Sequence, residues 1–317
     1  MTKINILTDF VHGNAIFKLP KIYVKKLSEF CNIYNVNEKN IPNDRIEVYW
    51  GTRITDEDLK KFINLKWIHF GSVGTDKLSY TSIKNKKIYI TNSKKLNSLS
   101  VSELIMEYFL DTKKKLLFLK NFSNRKQYEK HFQINNIKEI EKILILGYGN
   151  ITKKLEKHLK YNNVQIDIYS SRSGYLNKKN LISFEVCKKK IKSYSTIINL
   201  LPNNKKNKKI INFNFLNNLK KNINLILVGR VETINLTDLY KFLLKRKDCS
   251  VYLDGIIDYK HFKQFKKIKN IYISPHIGGY YANYWHDQFN FFEEILNRFK
   301  NRTSLKNLVK INEQNFK

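Results

Sequence analysis

The segment Lys142-Ile143-Leu144-Ile145-Leu146-Gly147-Tyr148-Gly149-Asn150-Ile151-Thr152 carries the most information in this 317-residue chain. From Ile143 to Leu146 it is continuously apolar, as in a strand covered on both faces of a parallel sheet. Two glycines follow, and then Ile151, Leu155 and Leu159 recur at the spacing of one helix face. Strand, glycine turn and helix in that order make a dinucleotide-binding loop. Gly147 permits the tight turn, and Gly149 lets the backbone approach a pyrophosphate at the positive end of the helix. Tyr148, Asn150 and Ile151 complete the segment that would meet that group. Thr152 stands where the pattern has its third glycine, a change expected to loosen the helix against the strand.

The strand after this helix ends in Ser170-Ser171-Arg172. A loop built for NAD has Asp or Glu near this point to take up the ribose 2′-hydroxyl. Ser170 and Ser171 bring no charge to repel a 2′-phosphate, and Arg172 offers it paired donors. Only eight of the 59 basic residues are Arg, so its use here favours a phosphate over a solvated loop. The cofactor expected is NADP(H), with NAD(H) as the alternative.

Outward from this segment, strand-like runs at 165–169, 196–200, 225–228, 251–253 and 271–274 alternate with helical stretches. On the other side, 3–7, 45–49, 67–70 and 88–91 read as strands, and a helix at 55–63 opens on Thr55. Ser100-Val101-Ser102-Glu103 reads as a capping box that starts a long helix towards Leu119. A polar stretch around 121–139 reads as a connection. From Asn283 onward, Phe289, Phe292, Ile295 and Phe299 mark a last helix. Such alternation is α/β architecture with doubly wound parallel sheets. At roughly 150 residues per domain, the chain makes about two.

With 42% hydrophobic and 13% aromatic residues, wholesale disorder is excluded. Apolar runs are too short, and too often broken by Lys or Asn, to span a membrane. Cys31, Cys187 and Cys249 suggest neither a disulfide framework nor a metal pair, as expected in a reducing cytoplasm. No histidine has metal-ligand spacing with a partner. The net charge of +32 invites a nucleic-acid reading. The basic residues are mostly Lys, however, spread along the chain without a dense tail. They are expected to form a solvated surface that draws anionic substrates, not a specific nucleic-acid interface.

Four further segments stand in order: Phe70-Gly71-Ser72-Val73-Gly74-Thr75-Asp76, Leu200-Leu201-Pro202, Val228-Gly229-Arg230 and Ser274-Pro275-His276-Ile277-Gly278-Gly279. Together with the Gly147 loop they collect seven of the eleven glycines and two of the four prolines. In these residues the chain resembles the D-isomer-specific 2-hydroxyacid dehydrogenase family, which includes glyoxylate/hydroxypyruvate reductases and phosphoglycerate dehydrogenase. The resemblance continues to Asn297-Arg298-Phe299 and Leu305-Lys306-Asn307-Leu308-Val309. It implies a Rossmann NAD(P)-binding domain, residues 99–281, inserted in a flavodoxin-like substrate domain, residues 1–98 and 282–317. It further implies an active site in the cleft and a homodimer paired through the helix near Ser100.

The chemistry implied by the resemblance is hydride transfer between the cofactor and a small 2-keto or D-2-hydroxy acid of the glyoxylate or hydroxypyruvate type. His276 matches the catalytic histidine, whose near-neutral pKa suits it to give and take a proton. Arg230 matches the arginine that grips the substrate carboxylate and polarises the carbonyl. Backbone N–H groups of Val73 and Gly74 would hold the other carboxylate oxygen. Asp254 matches the acidic residue at the nicotinamide carboxamide, and Leu201 and Pro202 join Ser171 and Arg172 on the cofactor.

The family normally keeps a glutamate shortly after the Asp254 position, hydrogen-bonded to the catalytic histidine. Tyr259 stands there, and the nearest carboxylate is Asp258. Two readings stay open: Asp258 orients His276 across a shorter loop, or the carboxylate is missing and proton transfer is slow. Val231 replaces a glycine and Leu227 an asparagine. These departures support a second functional reading, a nucleotide-binding regulatory or scaffold protein with weak or absent catalysis on the same fold.

Overall fold

The computed structural model describes residues 3–10, 18–75, 78, 83, 86–118, 141–162, 164–171 and 178–309. Asp76, Arg172 and the 121–139 connection lie outside the described residues. The chain divides into two units, Met1–Asn97 with Tyr280–Lys317, and Ser98–Gly279.

The first unit is built on five parallel strands: β1 (Ile4–Thr8), β2 (Cys31–Asn35), β3 (Val48–Gly51), β4 (Trp67–Phe70) and β5 (Tyr89–Asn92). Their order, β2-β1-β3-β4-β5, is that of flavodoxin. Ile6, Val48, Trp50 and Trp67 face one side, where they pack against Phe289, Phe292 and Ile295 of the Tyr284–Lys300 helix. Leu7, Tyr49, Ile68 and Phe70 face the other side. Period-two side-chain direction thus explains why the central strands β1, β3 and β4 carry apolar residues on both faces.

The second unit carries seven parallel strands: β6 (Glu141–Leu146), β7 (Val164–Tyr169), β8 (Leu181–Ile182), β9 (Thr196–Asn199), β10 (Asn224–Leu227), β11 (Ser250–Asp254) and β12 (Ile271–Ser274). The order β12-β11-β10-β9-β6-β7-β8 reverses direction between β6 and β9, the topological switch point of a Rossmann sheet. Leu144, Leu146, Leu225 and Leu253 fill one core; Ile143, Ile145, Ile226 and Tyr252 fill the other, under Ile105, Tyr108 and Phe109.

Two local expectations are corrected. The long helix begins at Ser98, so Ser100 lies inside its first turn rather than at its cap. The Ser100 hydroxyl donates instead to the Gly278 carbonyl at 2.9 Å. The 45–49 strand is observed as Val48–Gly51, shifted by its pairing with Ile6, Leu7 and Thr8. By contrast, Thr55 does cap the Asp56–Lys61 helix, with a reciprocal bond to Asp58. The three cysteines are free and buried. No helix among the described residues is long and apolar enough to cross a membrane.

Candidate active site

Parallel strands deliver their C-terminal ends to one edge of a sheet, and in the second unit that edge gathers most of the expected site residues. His276 follows β12, Asp254 ends β11 and Arg230 follows β10. Leu201 and Pro202 follow β9, the 147–151 loop follows β6, and Ser171 follows β7. His276 and Arg230 thus leave strands two places apart, a separation of about 10 Å at ordinary strand spacing.

Gly147 has φ +112°, and a Cβ there would press on the Leu200 carbonyl at 3.0 Å. Gly149 is different: a Cβ added to it meets nothing within 4 Å. It caps the Asn150–Leu159 helix, so the open space lies over the positive end of that helix. The Tyr148 ring beside it is flanked by the ammonium groups of Lys153 and Lys178, 5.5 and 4.8 Å from its centre. An anionic pyrophosphate fits this donor set, and a dinucleotide suits it. Thr152 does not loosen the packing as expected. It is buried, and its hydroxyl donates to the Gly147 carbonyl at 2.8 Å, tying the loop to the helix. Ser171 is exposed just past β7.

Arg230 stands in a turn built from behind. Its N–H donates to the Leu201 carbonyl at 3.2 Å, which joins two of the expected segments. Its own carbonyl accepts from the Thr233 hydroxyl at 2.6 Å, and that hydroxyl accepts from Asn199 Nδ2 at 2.9 Å. Asn199, fully buried at the end of β9, also accepts from the Leu201 N–H. Val231, in place of a glycine, is accommodated by another glycine: a Cβ on Gly255 would collide with Val231 Cγ2.

His276 has φ +60°, rare for a residue other than glycine, and its N–H turns back to the Ser274 carbonyl at 2.9 Å. Such a conformation costs roughly 1–3 kcal/mol and is kept where surrounding bonds impose it. Asp254 is the group that imposes it. The buried carboxylate accepts from the Ser274 hydroxyl at 2.6 Å and from the N–H groups of Ile277 and Gly278 at 2.9 and 3.0 Å. Tyr108 meets the Ser274 hydroxyl in turn, at 2.7 Å. His276 itself remains exposed.

Asp258 is not bonded to His276 among the described contacts, contrary to the first of the two readings above. It caps the Tyr259–Phe265 helix, accepting from the His261 N–H at 3.0 Å and meeting His261 Nδ1 at 2.6 Å. These bonds hold its carboxyl below the ordinary carboxylate range. The local Asp-x-x-His spacing explains the choice: both groups sit on one helical turn.

In the first unit, the turn after β4 has its carbonyls bound from within. Gly71 accepts from Gln288 Nε2 at 3.0 Å, Ser72 from the Ser93 N–H at 3.2 Å, Val73 from Asn92 Nδ2 at 2.7 Å, and Gly74 from the Ser72 hydroxyl at 2.9 Å. The N–H groups of Val73 and Gly74 meet no acceptor among the described residues. Successive unpaired N–H groups form a concavity suited to an anion. Sequence reasoning missed Asn199, Gly255, Gln288 and Thr233, the residues that hold these turns. Among the described residues no cluster of three or more His, Cys, Asp or Glu suits a metal ion.

Residues 106–278, more than half the chain, match the sequence model of the family described as D-isomer specific 2-hydroxyacid dehydrogenase, NAD binding domain. Among solved structures, the chain is similar to an NADPH-dependent glyoxylate/hydroxypyruvate reductase from Sinorhizobium meliloti, in complex with NADP and malonate. The TM-score is 0.82 at 14% identity, over 98% of each chain. It is also similar to an acyclic imino acid reductase in complex with NADPH and D-Arg, with a TM-score of 0.81 at 17% identity over 96% of this chain and 100% of the other. A third neighbour is an NAD+-bound 3-phosphoglycerate dehydrogenase of Entamoeba histolytica, with a TM-score of 0.77 at 16% identity over 98% and 99%. No curated protein sequence matches the chain.

Proposed function

The chain belongs to the D-isomer-specific 2-hydroxyacid dehydrogenase family and is an NAD(P)-dependent oxidoreductase of that kind; we propose that it reduces a small 2-keto acid, of the glyoxylate or hydroxypyruvate type, with NADP(H). The observation that carries this reading is the C-terminal edge of the seven-stranded sheet, where His276, Arg230 and the Gly147 loop share one line of strand ends. The nicotinamide, when bound, supplies the hydride. His276 donates a proton to the substrate carbonyl oxygen during reduction and recovers it during oxidation. The forked guanidinium of Arg230 grips the carboxylate and draws electron density from the carbonyl. Val73 and Gly74 offer their N–H groups to the other carboxylate oxygen.

Asp254 serves by holding the turn that carries His276, and its three bonds keep the imidazole presented. The residues 147–151, Leu201, Pro202 and, at the nicotinamide carboxamide, Asp254 are the proposed cofactor contacts. Ser171 and Arg172, lacking any carboxylate partner in sequence, favour a 2′-phosphate and therefore NADP(H) over NAD(H). The exposed Leu99 and Leu110 of the Ser98–Lys114 helix support pairing as a homodimer, to be checked by sedimentation.

The test is direct. Purified protein with NADPH and a panel of 2-keto acids should consume the cofactor, seen as falling near-ultraviolet absorbance. The engagement of Asp258 by His261 favours one competing reading, a nucleotide-binding regulatory protein with weak catalysis. Tight NADPH binding without turnover on any member of the panel would select that reading.

A further inference from the structure

A directional chain of hydrogen bonds runs through the interior of the first unit and ends on the turn that carries Val73 and Gly74. Trp67 Nε1 can only donate, and it donates to Thr91 Oγ1 at 2.8 Å. Thr91 Oγ1 also meets His69 Nδ1 at 2.7 Å. The single Ser93 hydroxyl proton goes to an oxygen, so the imidazole donates to Ser93 from Nε2 and accepts from the Thr91 hydroxyl at Nδ1. His69 therefore carries its proton on Nε2, which faces Ser93 Oγ at 3.3 Å. The Ser93 hydroxyl donates to the nearer of its two acceptors, Gln288 Oε1 at 2.7 Å, the other being the Phe70 carbonyl at 3.2 Å. Finally Gln288 Nε2 donates to the Gly71 carbonyl at 3.0 Å. Every link has one sense, so the amide of Gln288 has one orientation.

All five side chains are buried, and the rings of Trp67, Phe291 and Phe292 surround the imidazole. A polar chain is retained in an apolar core only when each member is satisfied, because one orphaned group costs more than the bond gained. Here four interior groups serve to aim a fifth at a backbone carbonyl. Gln288 comes from the Tyr284–Lys300 helix, more than two hundred positions later in the chain than Gly71. The bond ties the last helix of the unit to its candidate anion-binding turn.

We propose that Gln288 is a positioning residue for substrate: by fixing the Gly71 carbonyl it turns the Val73 and Gly74 N–H groups outward to receive a carboxylate. This rests on the reading of that turn as the carboxylate clamp. Gln288 touches no substrate; it acts through the turn, with Ser93 and His69 behind it.

The experiment compares Gln288→Met, which keeps the volume and removes the donor, with Ser93→Ala, which removes one interior link. Both should raise KM for the preferred 2-keto acid, by about tenfold for Gln288→Met and less for Ser93→Ala, with kcat changed less than about threefold. Affinity for NADPH should be unchanged. Amide hydrogen exchange gives a second measurement independent of turnover. The Gly71 and Ser93 N–H groups, bonded to the Gly51 and Phe70 carbonyls, should exchange faster in both variants. Faster exchange with no turnover in the unmodified enzyme would sink the clamp reading and uphold the link from Gln288 to the turn. Unchanged exchange and unchanged KM in a folded variant would overturn the proposal. Should Gln288→Met fail to fold, Ser93→Ala alone decides between these outcomes.

Discussion

Asp258 and His261 form a closed pair on the first turn of the Tyr259–Phe265 helix, with carboxylate and imidazole 2.6 Å apart. A carboxylate so engaged is a helix cap before it is anything else. Asp258→Asn should therefore leave kcat within about threefold of the unmodified enzyme. Steady-state kinetics decide the matter: a loss of about a hundredfold or more would restore Asp258 as the orienter of the catalytic imidazole.

His276 and Arg230 should separate chemistry from binding. His276→Asn is expected to lower kcat by about 100- to 10,000-fold while fluorescence titration shows NADPH still bound. Arg230→Lys keeps the charge but loses the fork, so kcat/KM should fall by about a hundredfold. Equal loss of cofactor affinity in either variant would mean that the residue belongs to the nucleotide site instead.

Val231 and Gly255 fill one space between them. Gly255→Ala should destabilise the protein by about 1–3 kcal/mol through overpacking against Val231. Adding Val231→Ala should recover most of that loss, and denaturant titration of the four proteins gives the coupling. Because Val231 adjoins Arg230, the single variant should also raise KM.

Acid should unfold this protein partly through His69. Desolvation holds its pKa down, from the ordinary 6.5 to about 3. The unfolded chain takes up this proton below about pH 6.5 and the folded chain only near pH 3, so acid favours unfolding. This contribution is complete above about pH 6.5 and is lost on acidification, at about 1.4 kcal/mol per pH unit between the two values. In His69→Phe the urea-unfolding free energy should fall less steeply between pH 6 and pH 4, by the equivalent of about one proton.

Much of the architecture was legible because the composition is biased. In a chain crowded with Lys, Asn and Ile, the surviving glycines and prolines mark places where the backbone needs them, and they led to Gly147, Gly149, Gly229, Pro275 and Gly278. Continuous apolar runs such as 143–146 identified the buried strands. The same bias hid other features. Asn199 organises the Arg230 turn, yet an asparagine attracts no notice here. β2, reading Cys-Asn-Ile-Tyr-Asn, went unrecognised for the same reason. Thr152 was read by what it lacks, a glycine's smallness, when its hydroxyl supplies a bond that glycine cannot make. Gln288 and Gly71 are too far apart in the chain for any local pattern to join them. Gly255 makes room for Val231 by an empty volume, which no residue type announces.

The turn holding Val73 and Gly74 has a practical corollary for the bench. Two successive N–H groups that meet no acceptor among the described residues would receive a small oxyanion whose dehydration they can offset, and the surplus of 32 positive charges enriches such ions near the surface. Acetate, sulfate and phosphate buffers should then act as competitive inhibitors. Michaelis constants measured in them would be inflated in proportion to salt, whereas a zwitterionic buffer with chloride kept low would expose the true value.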